Sequence, residues 1–385
     1  MAEINHAARD HATWSASASD RRWACPGSLA LEMHAPADVE SEAAAWGTAC
    51  HEVAEWTLRR DGNVDCFLFP GATVKTKQHE IEVTDEIIET AQVYVDYVRG
   101  AAGGKTLLIE QKFSLDSIGT PFEAGGTGDA VILDDKAGQI EIVDLKGGRG
   151  VVVEALGNKQ LRTYALGALM ANPGPWQTVK VTIVQPRAPH PDGRIRSETF
   201  SVAELVEWTQ DLLEAMDKAD AAGRGYVRDQ EGWAEKHLTA GAHCTFCKAA
   251  PTCPALAKKS MDEAHTFFAP QVETKVPPAP EMLTMDQIVR VLDHADMIGN
   301  WLNAVRAFAQ RQAEAGQDVT DGESTYVLTP KRATRKWKDE EQVVTAMALR
   351  TDRNPEDFYQ DPKIMSPAMV EKLLGKKGYA TVEDL

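Results

Sequence analysis

Asp144 and Lys146 stand two apart in QIEIVDLK (139–146), an alternating apolar run that reads as a strand, so both side chains project from one face. A charged pair on so apolar a segment needs a partner or a task. Asp129 in GDAVILD (128–134) reaches the same region, because Asp134, Asp135, Lys136, Ala137 and Gly138 form a hairpin turn between the two strands. Two carboxylates then converge beside one lysine. An internal Asp–Lys ion pair with a turn aspartate is the alternative reading. Two helical pairs accompany them. His51 and Glu55 share a face of ESEAAAWGTACHEVAEWTLRR (40–60), and Gln160 and Tyr164 share one of ALGNKQLRTYALGALMA (155–171). Taken singly, such a histidine reads as a satisfied core residue and such a Gln/Tyr pair as surface.

Six cysteines stand at 25, 50, 66, 244, 247 and 253. HCTFCKAAPTCPA spaces Cys244, Cys247 and Cys253 as C-x2-C-x5-C, three soft ligands that need a fourth, and Cys25 in RWACPGS is the candidate. Iron–sulfur, zinc and unliganded thiols all remain open on ligand type alone. Cys50 and Cys66 read as ordinary buried thiols, with Cys50 facing away from any metal at His51.

The elements that must hold these residues are legible. Helix-forming or 3-to-4 periodic stretches at 40–60, 83–102, 155–171 and 202–221 alternate with strand-like runs at 105–115, 128–134, 139–146, 176–186 and 194–200. The order predicts an α/β unit over residues 1–268. APQVETKVPPAPEM (269–282), with four prolines, reads as a linker. Residues 283–385 read as a mainly helical appendage. In it, Thr284 and Gln287 have capping-box spacing, and Ile288, Leu292, Ala295, Ile298, Leu302, Val305 and Phe308 make one stripe ending near Gly316. STYVLTP (324–330) reads as a strand, and short helices are expected around 340–350 and 367–375.

GTACHEVAE (47–55), GTGD (126–129), DLK (144–146) and QLRTY (160–164) resemble, in order, the histidine, GxxD, D/E-x-K and QxxxY motifs of the RecB-like branch of the PD-(D/E)XK nucleases. The resemblance covers roughly residues 15–260. It implies a restriction-endonuclease-like core with a mixed central sheet flanked by helices, and a metal-dependent deoxyribonuclease activity. It also implies His51, Asp129 and Asp144 as ligands of Mg²⁺ or Mn²⁺, Lys146 as a catalytic cation, and Gln160 and Tyr164 as positioning groups. Oxygen and imidazole donors suit such a hard cation. An N-terminal cysteine with a C-terminal triplet is similar to the iron–sulfur clasp of the CRISPR-associated adaptation exonuclease and the AddAB nuclease subunit. This implies a structural [4Fe–4S] cluster on Cys25, Cys244, Cys247 and Cys253, with Zn²⁺ the competing metal.

The chain carries 41 Lys plus Arg against 58 Asp plus Glu, a net charge of −17, which opposes indiscriminate nucleic-acid binding. A polyanion must therefore be held locally. Between 144 and 196 stand eight basic and three acidic residues, and KRATRKWK (331–338) adds five basic residues around Trp337. No apolar run approaches a membrane span and no signal segment is visible, which predicts a cytoplasmic protein, and the resemblance implies a bacterial or phage-infected cell. No Walker A motif is present, so a helicase or single-strand annealing or binding protein is expected to supply unwinding. The function that the resemblance implies is a metal-dependent DNA nuclease, an exonuclease acting on DNA ends or single strands in recombination, repair or phage DNA metabolism. A non-catalytic nucleic-acid-binding scaffold with the same fold is the rival.

Overall fold

The computed structural model describes residues 12–35, 40–60, 62, 64–149, 151–226, 232–268, 284–320, 322 and 324–328. The chain divides into two units, Met1–Gln317 and Asp318–Leu385.

In the first unit, β1 (Trp14–Ser15), α1 (Ser19–Ala24) and α2 (Ser28–Met33) precede α3 (Glu42–Leu58). Ser41 starts α3: its side chain accepts from the Ala44 amide at 3.2 Å, satisfying one orphan donor. A small hairpin, β2 (Thr73–Lys75) and β3 (Glu80–Glu82), leads to α4 (Asp85–Ala102), which ends at Gly103. Three long strands follow, β4 (Thr106–Ser114), β5 (Ala124–Asp134) and β6 (Gln139–Leu145). Then come α5 (Lys159–Ala171), β7 (Thr178–Val184), β8 (Ile195–Ser201) and α6 (Val202–Arg224), the last begun by a Ser201–Glu204 capping box. Helices α7 (Trp233–His237), α8 (Pro254–Phe268) and α9 (Met285–Glu314) complete the unit. Described residues of the second unit include an antiparallel pair, β9 (Val319–Thr320) and β10 (Thr325–Tyr326).

The central sheet is mixed and six-stranded, ordered β1-β5-β6-β7-β8 with β4 also paired to β5. Neighbours β4, β5 and β6 are antiparallel, β6 and β7 are parallel across the α5 crossover, and β7 and β8 are antiparallel. Alternation sorts the strand side chains between two cores. Ile140, Ile142, Val181 and Ile183 pack with Leu161 and Ala165 of α5 and Leu205 and Leu212 of α6. On the opposite side, Ala130, Ile132, Val143 and Leu145 pack with Val53 of α3 and Ile87, Ala91 and Val95 of α4. Burying each such side chain contributes about 1.5–3 kcal/mol. Helix α5 rides close on β4 because Gly167 lacks a side chain: a Cβ there would stand 2.5 Å from the Phe113 Cβ.

The fold is thus α/β, with a mixed central sheet flanked by helices. Each helix and strand anticipated between 40 and 224 is present, within a few residues at the ends. Helix α9 also forms, but its apolar stripe is only partly covered, with Leu292 66% and Leu302 42% exposed. Among the described residues of STYVLTP, 324–328, Thr325–Tyr326 is the strand. The linker 269–282, the Gln287 side chain of the capping pair, KRATRKWK and the segments 340–350 and 367–375 lie outside the described residues. Among the described residues, no helix is long and apolar enough to cross a membrane.

Candidate metal and phosphate site

The site grows out of the point where the central ladders stop. The last β5–β6 pair is Ala130 with Val143, and the same register sets Asp129 opposite Asp144 one place further on. There the Asp129 Oδ2 accepts from the Leu145 amide at 2.8 Å, a side-chain oxygen bonding the backbone where the ladder ends. On the other side of β5, the pairs Ile109–Ala130 and Gln111–Gly128 bracket Glu110, which therefore stands opposite Asp129. Three strands thus carry three carboxylates in one row. Glu110 sits at φ 54°, in the left-handed region that costs a residue with a Cβ about 1–2 kcal/mol.

Each flanking helix layer adds its own residue. From α3, the His51 Nδ1 lies 3.3 Å from the Asp129 Oδ2, and single ligand atoms of His51, Glu110 and Asp129 all fall within 4.8 Å of one another. Glu55, on the same face of α3, instead bonds the Arg59 Nε at 2.6 Å. From α5, Gln160 ties the other half together. Its Nε2 donates to the Asp144 Oδ1 at 3.2 Å and to the Tyr164 Oη at 3.1 Å, while its Oε1 accepts from the Lys146 Nζ at 3.1 Å. The Lys146 Nζ also meets the Asp144 Oδ2 at 2.8 Å, and that oxygen accepts no directed hydrogen bond. Asn158 begins α5 by accepting from the Leu161 amide at 3.0 Å, which sets Gln160 and Tyr164 in the first two turns.

The glycine of GTGD has a steric reason. A Cβ on Gly126 would stand 2.8 Å from the Tyr164 Cε1, so the phenol ring can lie against β5 only over a bare backbone. The motif spacing therefore couples a strand glycine to a helix tyrosine and, three residues on, to Asp129.

The charged groups here shift one another in different directions. Burial opposes charging of His51, but Asp129, Glu110 and Asp144 outweigh it and push the imidazole up to about 9. Burial would raise Asp129, yet His51, the Leu145 amide and Lys146 hold its carboxyl below the ordinary aspartate value. Asp144 goes the other way: desolvation, only partly offset by Lys146 and reinforced by Asp129, raises it. Asp129 and Asp144 thus stand side by side with His51, Lys146 and Glu110 around them, in a site where Asp144 is 2% exposed. Such a set of hard donors favours a further positive charge.

A cleft opens over this cluster. It is lined by Asp129, Asp144, Lys146 and Gln160, and reaches Lys112 on β4 and residues Thr245 to Lys248 of the cysteine segment.

The four candidate cysteines come from opposite ends of the unit. Cys25 follows α1, the triplet follows α7, and all four line one small cavity. Backbone amides point at two of the sulfurs, Thr239 to the Cys25 Sγ and Gly241 to the Cys244 Sγ, each at 3.4 Å. Among the described residues, no three cysteine sulfurs lie within 4.8 Å of one another. The two chain segments are also joined without sulfur: the Gly27 amide donates to the His237 carbonyl at 2.8 Å, and Cys25 packs with Trp233 and Leu238. Cys50 and Cys66 lie elsewhere, buried in the α3–α4 core.

Residues 11–385 match the model of a family described as "Protein of unknown function (DUF2800)". The chain belongs to that family. In this DUF2800 chain, the residues singled out from sequence meet in two places. His51, Asp129, Asp144, Lys146, Gln160 and Tyr164 meet at the ladder end, and Cys25, Cys244, Cys247 and Cys253 meet at the small cavity. The metal-ligand trio drawn from sequence was His51, Asp129 and Asp144, whereas the atoms closest together belong to His51, Asp129 and Glu110. Glu110 escaped the sequence reading of the DUF2800 chain. Its signal was a carboxylate within the apolar run LLIEQKF, but only the β4–β5 register makes it a neighbour of Asp129.

Proposed function

We propose that this DUF2800 chain is a metal-dependent deoxyribonuclease of the PD-(D/E)XK type, RecB-like branch, whose nuclease fold carries an iron–sulfur clasp. The observation that carries the reading is the row Glu110–Asp129–Asp144, with Lys146 at 2.8 Å from Asp144 and His51 at 3.3 Å from Asp129. A buried ion pair kept only for stability has no need of an opening, whereas here Asp129, Asp144 and Lys146 line a cleft.

His51, Asp129 and Asp144 would hold Mg²⁺ or Mn²⁺, with Glu110 a further donor. When bound, the cation supplies neutralisation of phosphate charge and a water of lowered pKa. The chain's own residues do the rest. The Lys146 ammonium, beside Asp144, would stabilise the negative charge that accumulates as a phosphodiester is attacked. Gln160 fixes both the lysine and Asp144, and Tyr164, 7% exposed, braces Gln160 from below. The leaving strand's proton demand falls on solvent at the open cleft.

Cys25, Cys244, Cys247 and Cys253 would hold a [4Fe–4S] cluster. Sulfurs around tetrahedral zinc stand about 3.8 Å apart, given a Zn–S distance of about 2.3 Å. A cluster that binds each thiolate to a different iron holds them farther apart, and the four cysteines line one small cavity. Amide donors to two sulfurs suit thiolates.

The preferred substrate on this reading is linear or single-stranded DNA, with any unwinding supplied by a partner. The test offers linear duplex, covalently closed circular duplex and single-stranded DNA to anaerobically purified protein with Mg²⁺ or Mn²⁺. Cleavage of linear and single-stranded DNA is expected, and its loss in Asp144→Asn. Failure of cluster-loaded parent protein to cut any of the three with either metal overturns the reading.

A further inference from the structure

The cysteine loop offers more than sulfur. Phe246 lies between Cys244 and Cys247 and is 70% exposed. A single exposed aromatic would mean little, but this one lines the same cleft as Asp129 and Asp144. Met33, 73% exposed, lines that cleft as well.

The loop that presents Phe246 is held from both sides. The Phe246 carbonyl accepts from the Arg21 Nη1 at 3.1 Å, and the Cys247 amide donates to the Cys244 carbonyl at 3.0 Å. The Lys248 amide donates to the Glu32 Oε1 at 3.4 Å. Arg21 is itself paired with Glu32 at 2.8 Å, so the anchors belong to α1 and α2 rather than to the loop alone. A ring carried on a backbone held in this way costs less ordering of the loop when it makes a contact. Exposed lysines share the cleft: Lys248 beside the ring, and Lys77 and Lys112 on other elements.

We infer that Phe246 is a base-stacking platform that grips single-stranded DNA in the cleft, with Lys77 and Lys112 of the same cleft taking the phosphates. This deepens the nuclease reading and rests on it. A single strand is favoured over a duplex because duplex bases are already stacked on one another. An isolated ring can add a stacking partner only to an unpaired base, whatever its identity. The cysteine loop would then serve two ends, tying the fold together and handing the strand toward Asp129 and Asp144.

The experiment measures anisotropy of a labelled single-stranded oligonucleotide, intact or with consecutive abasic sites, using full-length cluster-loaded protein and Ca²⁺ in place of the catalytic metal. Phe246→Ala should weaken binding of the intact strand on the order of tenfold, as expected for one lost stack. It should leave the abasic strand unchanged, and Phe246→Trp should restore the intact-strand affinity. Equal affinity of parent and Phe246→Ala for the intact strand overturns the inference, as does an equal loss on both strands. Cleavage with Mn²⁺ is recorded on the same preparations. If parent and variant both cut and bind alike, the stacking inference alone fails. If the parent neither cuts nor binds, the nuclease reading fails with it.

Discussion

Glu110 and Asp129 face each other across the β4–β5 ladder, bracketed by the pairs Ile109–Ala130 and Gln111–Gly128, and Glu110 takes up a left-handed backbone at φ 54° there. An ordinary strand residue would continue the pleat. Strain of this kind persists where the surroundings over-determine it, and it gathers at functional sites. Asp129 is in turn opposite Asp144, so the row of carboxylates is a property of strand register rather than of any single motif.

The strained glutamate gives a paired test. Glu110→Gly relieves the left-handed backbone and Glu110→Ala keeps it, so the glycine variant should be the more stable by about 1 kcal/mol in urea unfolding. Both should bind Mn²⁺ more weakly than the parent. Equal stability of the two variants would show that Glu110 carries no backbone strain.

Asp129→Asn and Asp144→Asn keep the side-chain shape and remove the charge a divalent cation requires. Each should abolish metal-dependent DNA cleavage while circular dichroism and cysteine-site metal content stay as in the parent. Lys146→Ala should lower the rate on the order of 10² to 10³, by analogy with removal of one oxyanion donor. Parent-like cleavage by all three variants would exclude the proposed chemistry.

Gly126→Ala should push the Tyr164 ring away, since the added Cβ would lie 2.8 Å from the Tyr164 Cε1. Overpacking of this sort costs about 1–3 kcal/mol. The cost should fall to less than half in a Tyr164→Ala background, where the obstructing ring is gone. A double-mutant cycle in urea reads this directly, and an additive result would sink the steric account of the GxxD glycine.

Anaerobically purified protein should be brown and contain iron and acid-labile sulfide. Cys247→Ala should lose both and unfold at lower denaturant, whereas Cys50→Ala, altering a buried thiol of the α3–α4 core, should keep the metal. Stoichiometric zinc with no iron or sulfide after anaerobic reconstitution would reassign the site. A closed loop running from Cys25 to Cys244 should make metal removal cost more than losing one surface contact.

Local pattern carried much of this fold into view. The turn at 134–138 and the alternation in 139–146 set β5 against β6 and brought Asp129 to Asp144, because a hairpin's register follows from its turn. The spacing of Gln160 and Tyr164 told which face of α5 they share. Glu110 stayed hidden because β4 and β5 are joined by a longer connection containing Asp116 and Gly119, and nothing local fixes their register. Strand β1 and the β2–β3 hairpin were missed because two- and three-residue strands have no period to read. The stripe on α9 was visible, but periodicity says which side chains share a face and nothing about what covers them.

The bond from the Gly27 amide to the His237 carbonyl ties the stretch after α1 to the stretch before the cysteine triplet. That seam and the wall of the cleft are one piece, since Arg21, Met33 and Cys247 line the same opening as Asp129 and Asp144. The acidic row itself stands on β4, β5 and β6, strands supported by both cores. On the proposed reading, oxidative loss of a cluster beside this seam should therefore loosen the grip before it harms the chemistry: under graded air exposure KM should climb while kcat, measured at saturating DNA, holds. Oxygen would then tune which substrates are captured, and leave the cutting edge intact until the seam itself opens.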